Sequence, residues 1–242
     1  MDFLPFKASD QNDRGSLPKL CIVHKLGLLP YHKAYRLQKS IRNKRIEGRV
    51  PDTILLLEHP PTFTIGKSGS IKNILISKNR LPIEEISLFF ADRAGDVTYH
   101  GPGQIVAYVI FDLRRRENDI HRFVRDLEDI LITTAKDFSI RAFRDDNHPG
   151  IWVNGEELAA IGLNVERWVT MHGFALNVNP NLEHFSFINP CGFSDRKATS
   201  MSNILAQEVP IKQVIDRLLV HFAQVLDVSL KMALVEEKRK DR

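Results

Sequence analysis

Hydrophobic residues recur along this chain at two spacings, one typical of strands and the other of helices. Short apolar runs predict buried strands, and breaks such as the proline pair at 60–61 mark where they end. The predicted strands cover residues 20–24, 53–57, 105–111, 150–154, 158–165 and 168–178. Cys21 lies inside the first run, where we expect it to pack as a small core residue.

Longer segments with helical spacing predict three amphipathic helices. The first spans 30–48, the second follows a cap at Asn118 or Asp119, and the third begins at Pro210. No Gly- or Ser-rich linker separates these elements, so we expect one α+β domain with a mixed β-sheet flanked by helices. Its predicted bounds are 19–228, between a flexible N-terminal arm (1–18) and a charged C-terminal tail (229–242).

The amino-acid composition limits the kinds of protein to which this chain can belong. With 43% hydrophobic and 26% charged residues, the 242-residue chain is typical of globular proteins. The sequence contains no apolar run of the roughly 18 residues needed to span a membrane, and its N-terminus lacks signal-peptide features. Two cysteines without metal-type spacing favour a reducing compartment, so we expect a cytoplasmic protein without a metal or cofactor.

The formal net charge of +4 favours acidic macromolecular partners. Nucleic-acid motifs are absent from the sequence, so nucleic acid is not the expected partner. The first helix concentrates the positive charge, and we interpret this run either as a solvated face or as a docking surface for an acidic partner. Its basic residues are Lys33, Arg36, Lys39, Arg42, Lys44 and Arg45.

Cys191 is the first candidate for chemistry, because it lies between Pro190 and Gly192 in the segment INPCGF. Proline and glycine allow a sharp turn that can present a thiol to a substrate. A thiolate is a strong nucleophile when its surroundings lower its pKa. The alternative from these residues alone is a small apolar residue in a buried turn.

Three further segments carry unusual residue types. Residues 93–104 combine three glycines with polar side chains, which suits either close backbone approach to a ligand or a tight hairpin between strands. The strand 158–162 has small residues that leave room for an alkyl chain or permit close packing. In 168–178, His172 and Gly173 interrupt a strand-like run, although a lone histidine there is more often a satisfied core residue. The phosphate-loop spacing of nucleotide-binding proteins is absent.

Taken in order, AGDVTYHGPGQ, LAAIG, WVTMHGFALNVN and INPCGF closely resemble motifs of the lipoyl(octanoyl) transferase family. The upstream LLLEHPP and TIG segments fit the same family, and the resemblance runs from about residue 20 to about residue 225. It implies the fold of biotin and lipoate protein ligases. It also implies transfer of an octanoyl group from octanoyl-acyl carrier protein to a lysine of a lipoyl domain, in protein lipoylation and lipoate biosynthesis.

The resemblance also implies site residues and partners. Cys191 matches the nucleophile that carries the acyl group as a thioester. The acceptors would be lipoyl domains of 2-oxoacid dehydrogenase E2 subunits and the glycine cleavage H protein, and we expect a monomer that needs no ATP. The positions implied to contact substrate are Arg93, Ala94, Gly95, Asp96, Val97, Thr98, Tyr99, His100, Ala160, Ile161, Gly162, Gly173, Phe174 and Ala175.

Glu157 departs from the family pattern, which has a lysine that lowers the pKa of the catalytic thiol at this position. A carboxylate would raise the pKa of a nearby thiol instead. One alternative is another activating group, namely Lys67, Lys197, His100 or His172. In a second alternative, Glu157 itself accepts a proton. In a third, the chain is an impaired or non-catalytic binding homologue. An ATP-dependent lipoate ligase is a further alternative, which the Pro-Cys-Gly segment disfavours.

Overall fold

A computed structural model describes residues 19–77, 79–189 and 197–233. Within these ranges the chain forms ten strands, four α-helices and three short 3₁₀ turns. The strands are β1 (Lys19–Leu28), β2 (Asp52–Glu58), β3 (Thr62–Ile65), β4 (Ser87–Phe90), β5 (Val97–His100), β6 (Gln104–Ile110), β7 (Gly150–Val153), β8 (Glu156–Glu166), β9 (Val169–Asn177) and β10 (Val228–Met232). The helices are α1 (Tyr31–Ile46), α2 (Ile120–Asp137), α3 (Met201–Leu205) and α4 (Ile211–Val225), and the 3₁₀ turns are Ile71–Asn73, Leu113–Arg115 and Leu182–Phe187.

Seven strands form a mixed sheet in the order β10-β1-β2-β6-β9-β8-β7. Strand β1 runs parallel to both β10 and β2, whereas the pairs from β2 to β7 are antiparallel. Helix α1 connects the parallel pair β1 and β2, as parallel strands require a crossover connection.

Successive side chains of β2 point to opposite faces of this sheet, so the core has a part on each face. Ile54 and Leu56 pack with the apolar stripes of α2 and α4, whereas Leu55 and Leu57 pack with α1. Cys21 is fully buried in the first of these clusters, as the sequence predicts. Burial raises the pKa of its thiol well above the usual value, with Asp52 adding to the shift, so Cys21 stays protonated.

A second, three-stranded sheet has the order β4-β3-β5, with β4 parallel and β5 antiparallel to β3. Its core includes Phe63, Ile65 and Tyr99, packed on Phe185 of the turn Leu182–Phe187. Because β5 joins this sheet and β6 joins the large one, residues 93–104 do not form a hairpin. They connect the two sheets.

The predicted strands correspond to β1, β2, β6, β7, β8 and β9, and the three predicted helices to α1, α2 and α4. Asp119 caps α2 by accepting a hydrogen bond from the Arg122 amide at 3.0 Å. Strands β3, β4, β5 and β10 were not predicted. Strand β10 pairs with β1 and continues past the predicted domain end at residue 228.

The expectation of a solvated basic face on α1 was wrong for Arg42 and Arg45, which are only 4% and 3% exposed. Arg45 Nε lies 2.7 Å from Asp52 Oδ1, and its guanidinium also faces Asp112. The Arg42 guanidinium binds Glu166 at 2.7 Å. Both arginines lie over the sheet, where paired carboxylates compensate their burial. Lys33, Arg36 and Lys39 are exposed.

Among the described residues, no helix is both long enough and apolar enough to cross a bilayer.

Candidate functional site

A cavity of about 130 Å³ opens between the α1 side of the large sheet and the loop that leads into β5. Its walls are mostly apolar, and they come from β6, β8 and β9, from the first residue of α1, from residues 93–98 and 100, and from residues 148–149 before β7. The lining residues are Tyr31, Arg93, Ala94, Gly95, Asp96, Val97, Thr98, His100, Val106, Tyr108, His148, Pro149, Glu157, Ala160, Ile161, Gly162, His172, Gly173, Phe174 and Ala175.

The structure brings nearly all residues of the predicted site to this cavity. Tyr99 lies outside it, because its ring packs on Phe63 and Phe185 in the core of the small sheet. Its hydroxyl binds His184 Nδ1 at 2.8 Å, and burial raises its pKa to about 12. Cys191, the predicted nucleophile, lies outside the described residues.

Hydrogen bonds to both sheets hold the loop 93–96. The Ala94 amide donates to Leu163 O in β8 at 2.9 Å, and the Gly66 amide after β3 donates to Asp96 O at 3.1 Å. The Asp96 carboxylate accepts from the amides of Ser70 and Val97 and from Asn73 Nδ2, at 3.2, 2.7 and 2.5 Å. These bonds stabilise the loop, so the role of the Asp96 carboxylate is to hold the loop backbone in place.

The turn at 101–103 requires glycine. Gly103 has φ +85°, and a Cβ there would lie 2.3 Å from Asn179 O, which no side chain can tolerate. The Gly103 amide donates to Glu58 Oε2 at 2.7 Å, which fixes the turn to the end of β2. The next residue, Gln104, donates from Nε2 to Tyr99 O and Asn177 Oδ1. The turn therefore sets the position of His100 relative to the large sheet.

Two neutral histidines lie beneath this turn. His59 Nδ1 donates to Leu29 O at 2.6 Å, so Nε2 accepts from the Tyr108 hydroxyl at 2.7 Å. Burial lowers the pKa of His59 to about 4. His100 Nδ1 lies 2.8 Å from Gln104 Oε1, and burial lowers its pKa well below the usual value, aided by the neighbouring His59.

His172 is held in an uncommon backbone conformation inside β9, with φ +64°. Its amide donates to Gln38 Oε1 of α1 at 2.9 Å, and its Nε2 lies 2.7 Å from Asp92 Oδ1. Burial lowers the pKa of His172 despite the opposing effect of Asp92. The hydrogen bond from His172 in turn lowers the pKa of Asp92 to about 2. At neutral pH the pair is a neutral imidazole donating to a carboxylate, and backbone strain of this kind is often found at functional sites.

Glu157 lines the cavity, and its backbone forms hydrogen bonds with the backbone of residues 197 and 199. The Glu157 amide donates to Lys197 O, and the Thr199 amide donates to Glu157 O, both at 2.9 Å. On the other side of the undescribed segment, the Asn189 amide donates to Asn73 O at 2.7 Å. Asn73 also binds the Asp96 carboxylate. Lys197 is thus bonded to a lining residue directly, and Asn189 is connected to the lining residue Asp96 through Asn73.

Five of the lining residues were not predicted from the sequence as parts of the site: Tyr31, Val106, Tyr108, His148 and Pro149. Tyr31 and Val106 look like ordinary core residues of a helix and a strand, and no local pattern distinguishes them. In the described ranges, His, Cys, Asp and Glu side chains form no group of three that could hold a metal ion.

The arrangement suits an extended apolar group. An apolar cavity of about 150 Å³ holds a ligand the size of benzene, and this open cavity of about 130 Å³ is close to that size. The small residues Ala160, Gly162, Gly173 and Ala175 make the cavity floor.

Comparisons with known proteins identify the family of the chain. The model of the lipoyl protein ligase A/B catalytic domain matches residues 30–223. An octanoyltransferase of Caldicellulosiruptor bescii is 47% identical over 216 residues, which covers 88% of this chain and 95% of the relative.

Solved structures share the fold at low sequence identity. A bi-partite lipoate protein ligase from Thermoplasma acidophilum has a TM-score of 0.66 and 13% identity, covering 92% of this chain and 88% of that one. A biotin protein ligase from Aquifex aeolicus, in complex with biotin and ATP, has a TM-score of 0.52 and 13% identity, covering 85% and 69%. The fold is therefore that of the lipoate and biotin protein ligases. With this fold and close identity across almost the whole length of a curated relative, the chain belongs to the lipoyl(octanoyl) transferase family.

Proposed function

We propose that this protein transfers an octanoyl group from octanoyl-acyl carrier protein to a lysine of lipoyl domains, through a thioester on Cys191. The observation that carries the proposal is the mostly apolar cavity, because it gathers the family's motif residues around a space suited to an apolar group. The identity to an octanoyltransferase supports the nature of the acyl group.

Chain connectivity supports Cys191 as the acyl carrier. Asn189 precedes it by two residues and binds Asn73 beside Asp96, and Lys197 follows it by six residues and binds Glu157. Both Asp96 and Glu157 line the cavity. The described residues on either side of Cys191 are therefore both bonded close to residues of the cavity.

The chemistry proceeds in two acyl transfers. The Cys191 thiolate attacks the carrier thioester carbon, the carrier C–S bond breaks, and the carrier leaves as a thiolate. The neutral amine of the acceptor lysine then attacks the Cys191 thioester. An amide C–N bond forms, the C–S bond to Cys191 breaks, and the nitrogen loses a proton. Both oxyanions need preorganised donors, for which backbone amides at the site are suited. The incoming group is already activated, so the reaction needs no ATP.

Intact mass measurement after incubation with octanoyl-acyl carrier protein tests the thioester. We expect an octanoyl adduct that is lost in Cys191→Ser and retained in Cys21→Ala, since Cys21 is buried in the core. Complex formation without an adduct or transfer would instead indicate a non-catalytic binding protein, and turnover that requires ATP would indicate a ligase.

Glu157 sets how readily Cys191 ionises in this proposal. His100 and His172 line the cavity, whereas the side chains of Lys67 and Lys197 are not part of its lining. A carboxylate at 157 disfavours a thiolate nearby, so Glu157→Lys should raise the acyl-transfer rate at neutral pH. Glu156→Lys, which makes the same charge change one residue away, is the matched control. An unchanged or lower rate in Glu157→Lys would contradict the argument that a cation is missing.

A further inference from the structure

The lining residues extend along the large sheet between two ends. One end lies at Glu157, where the backbone meets residues 197–199. The other lies where Gly162, Gly173 and Tyr108 stand side by side on β8, β9 and β6. If the acyl carbonyl is at the Glu157 end, as the proposed function requires, the far end of the acyl chain approaches Tyr108.

Tyr31 covers this far end from the start of α1. Its ring is fixed between aromatic neighbours, with centroids 5.3 Å from both His59 and Phe89 and 6.2 Å from His100. The residue is only 3% exposed. Its hydroxyl is buried and has no hydrogen-bond partner among the described residues. Burial raises the pKa of Tyr31 far above its usual value, so the hydroxyl keeps its proton and remains a donor.

The Tyr108, His172 and Arg93 side chains at this end already have partners. The Tyr108 hydroxyl binds His59, and His172 binds Asp92. The Arg93 guanidinium donates to Thr64 O and to Ala94 O at 2.8 and 3.0 Å. The Tyr31 hydroxyl therefore differs from its neighbours. Buried polar groups are nearly always paired, so an unpaired one on a residue that lines a cavity points to a ligand atom.

We propose that the far end of this cavity accepts a medium-length acyl group that carries an oxygen on its terminal carbon, with the Tyr31 hydroxyl donating a hydrogen bond to it. This inference rests on the proposed acyl transfer and adds a substrate class to it. A plain alkyl end would leave the hydroxyl buried and unsatisfied, whereas a terminal hydroxyl group would satisfy it. Tyr31 would thus be a specificity-determining residue.

Three pantetheine thioesters test this, with octanoyl, nonanoyl or 8-hydroxyoctanoyl as the acyl group. Nonanoyl and 8-hydroxyoctanoyl have the same number of non-hydrogen atoms, so their ratio of kcat/KM separates hydrogen bonding from size. In Tyr31→Phe we expect the ratio of 8-hydroxyoctanoyl to nonanoyl transfer to fall about tenfold, as for loss of one buried hydrogen bond. The fold should survive, because the ring contacts remain and the removed hydroxyl binds no described residue; thermal unfolding checks this.

Tyr35→Phe is the matched control, since Tyr35 stacks on Tyr31 at 6.2 Å but does not line the cavity. The ratio should be unchanged in this variant. An equal ratio in the wild type and Tyr31→Phe would overturn the inference, as expected if a buried water satisfies the hydroxyl. If octanoyl transfer itself fails, the proposed function fails separately. Calorimetric binding of free nonanoate and 8-hydroxyoctanoate to the same variants then still decides the role of Tyr31.

Discussion

Acid sensitivity of the fold follows from the burial of His59. Its side chain is fully buried and neutral, and burial lowers its pKa from 6.5 to about 4. Between these values the unfolded chain binds a proton that the folded protein does not bind. The contribution of His59 to the free energy of unfolding is therefore fully present above pH 6.5 and falls as the pH decreases towards 4.

The magnitude follows from the size of the shift. One unit of pKa corresponds to about 1.4 kcal/mol, so His59 alone should lower the free energy of unfolding by roughly 2 kcal/mol between pH 7 and pH 5. Burial also lowers the pKa values of His100 and His172, and their effects have the same sign. The groups facing His59 are Tyr31, Tyr108 and His100, and burial raises the pKa values of both tyrosines, so neither offers a negative charge near neutral pH.

Urea denaturation at pH 7, 6 and 5 measures this dependence. His59→Gln keeps a donor and an acceptor for Leu29 O and Tyr108 but does not titrate, so its free energy of unfolding should depend less on pH. His121→Gln, at an exposed position of α2, should retain the wild-type dependence. The comparison uses the pH dependence and not the absolute stability, which the substitution also changes. Equal pH dependence in His59→Gln and the wild type would refute the reasoning.

Two further predictions concern the basic residues of α1. Arg45→Met should lower the free energy of unfolding by about 3–5 kcal/mol, because it leaves Asp52 buried without its cation, whereas the exposed Arg36→Met should stay within about 0.5 kcal/mol. A loss below about 1 kcal/mol in urea denaturation of Arg45→Met would contradict this. Arg36→Glu should raise KM for octanoyl-acyl carrier protein severalfold at low salt but not for octanoyl-pantetheine, since charge complementarity acts on the protein partner. Lys136→Glu, exposed on α2 across the sheet, is the control, and an equal rise in both variants would count against docking on α1.

The elements with long apolar runs or clear helical spacing could be predicted, because their local pattern matches the face they bury. The small sheet could not, since β3, β4 and β5 have four residues each and depend on pairing between distant segments. Arg45 was misjudged for a related reason. Its sequence neighbours are charged, and only the fold brings Asp52 and Asp112 to it.

The residues of the candidate site also fall into those that could be predicted from the sequence and those that could not. Motif residues such as Asp96 and Gly162 could be predicted through resemblance, although the resemblance did not show that the Asp96 carboxylate binds the backbone of its own loop. Tyr31 could not be predicted, because a tyrosine at the start of an amphipathic helix resembles any core residue. The catalytic role of Cys191 stays a prediction.

The double attachment of the loop 93–96 has a consequence for how acyl selectivity can change during evolution. Ala94 is bonded to β8 and Asp96 to the chain after β3, so the loop cannot open as a lid without breaking bonds to both sheets. A preformed site of this kind requires little reorganisation when it binds. New acyl preferences are therefore expected to arise by exchange of single side chains on the walls, and homologues should keep the loop backbone while those side chains diverge.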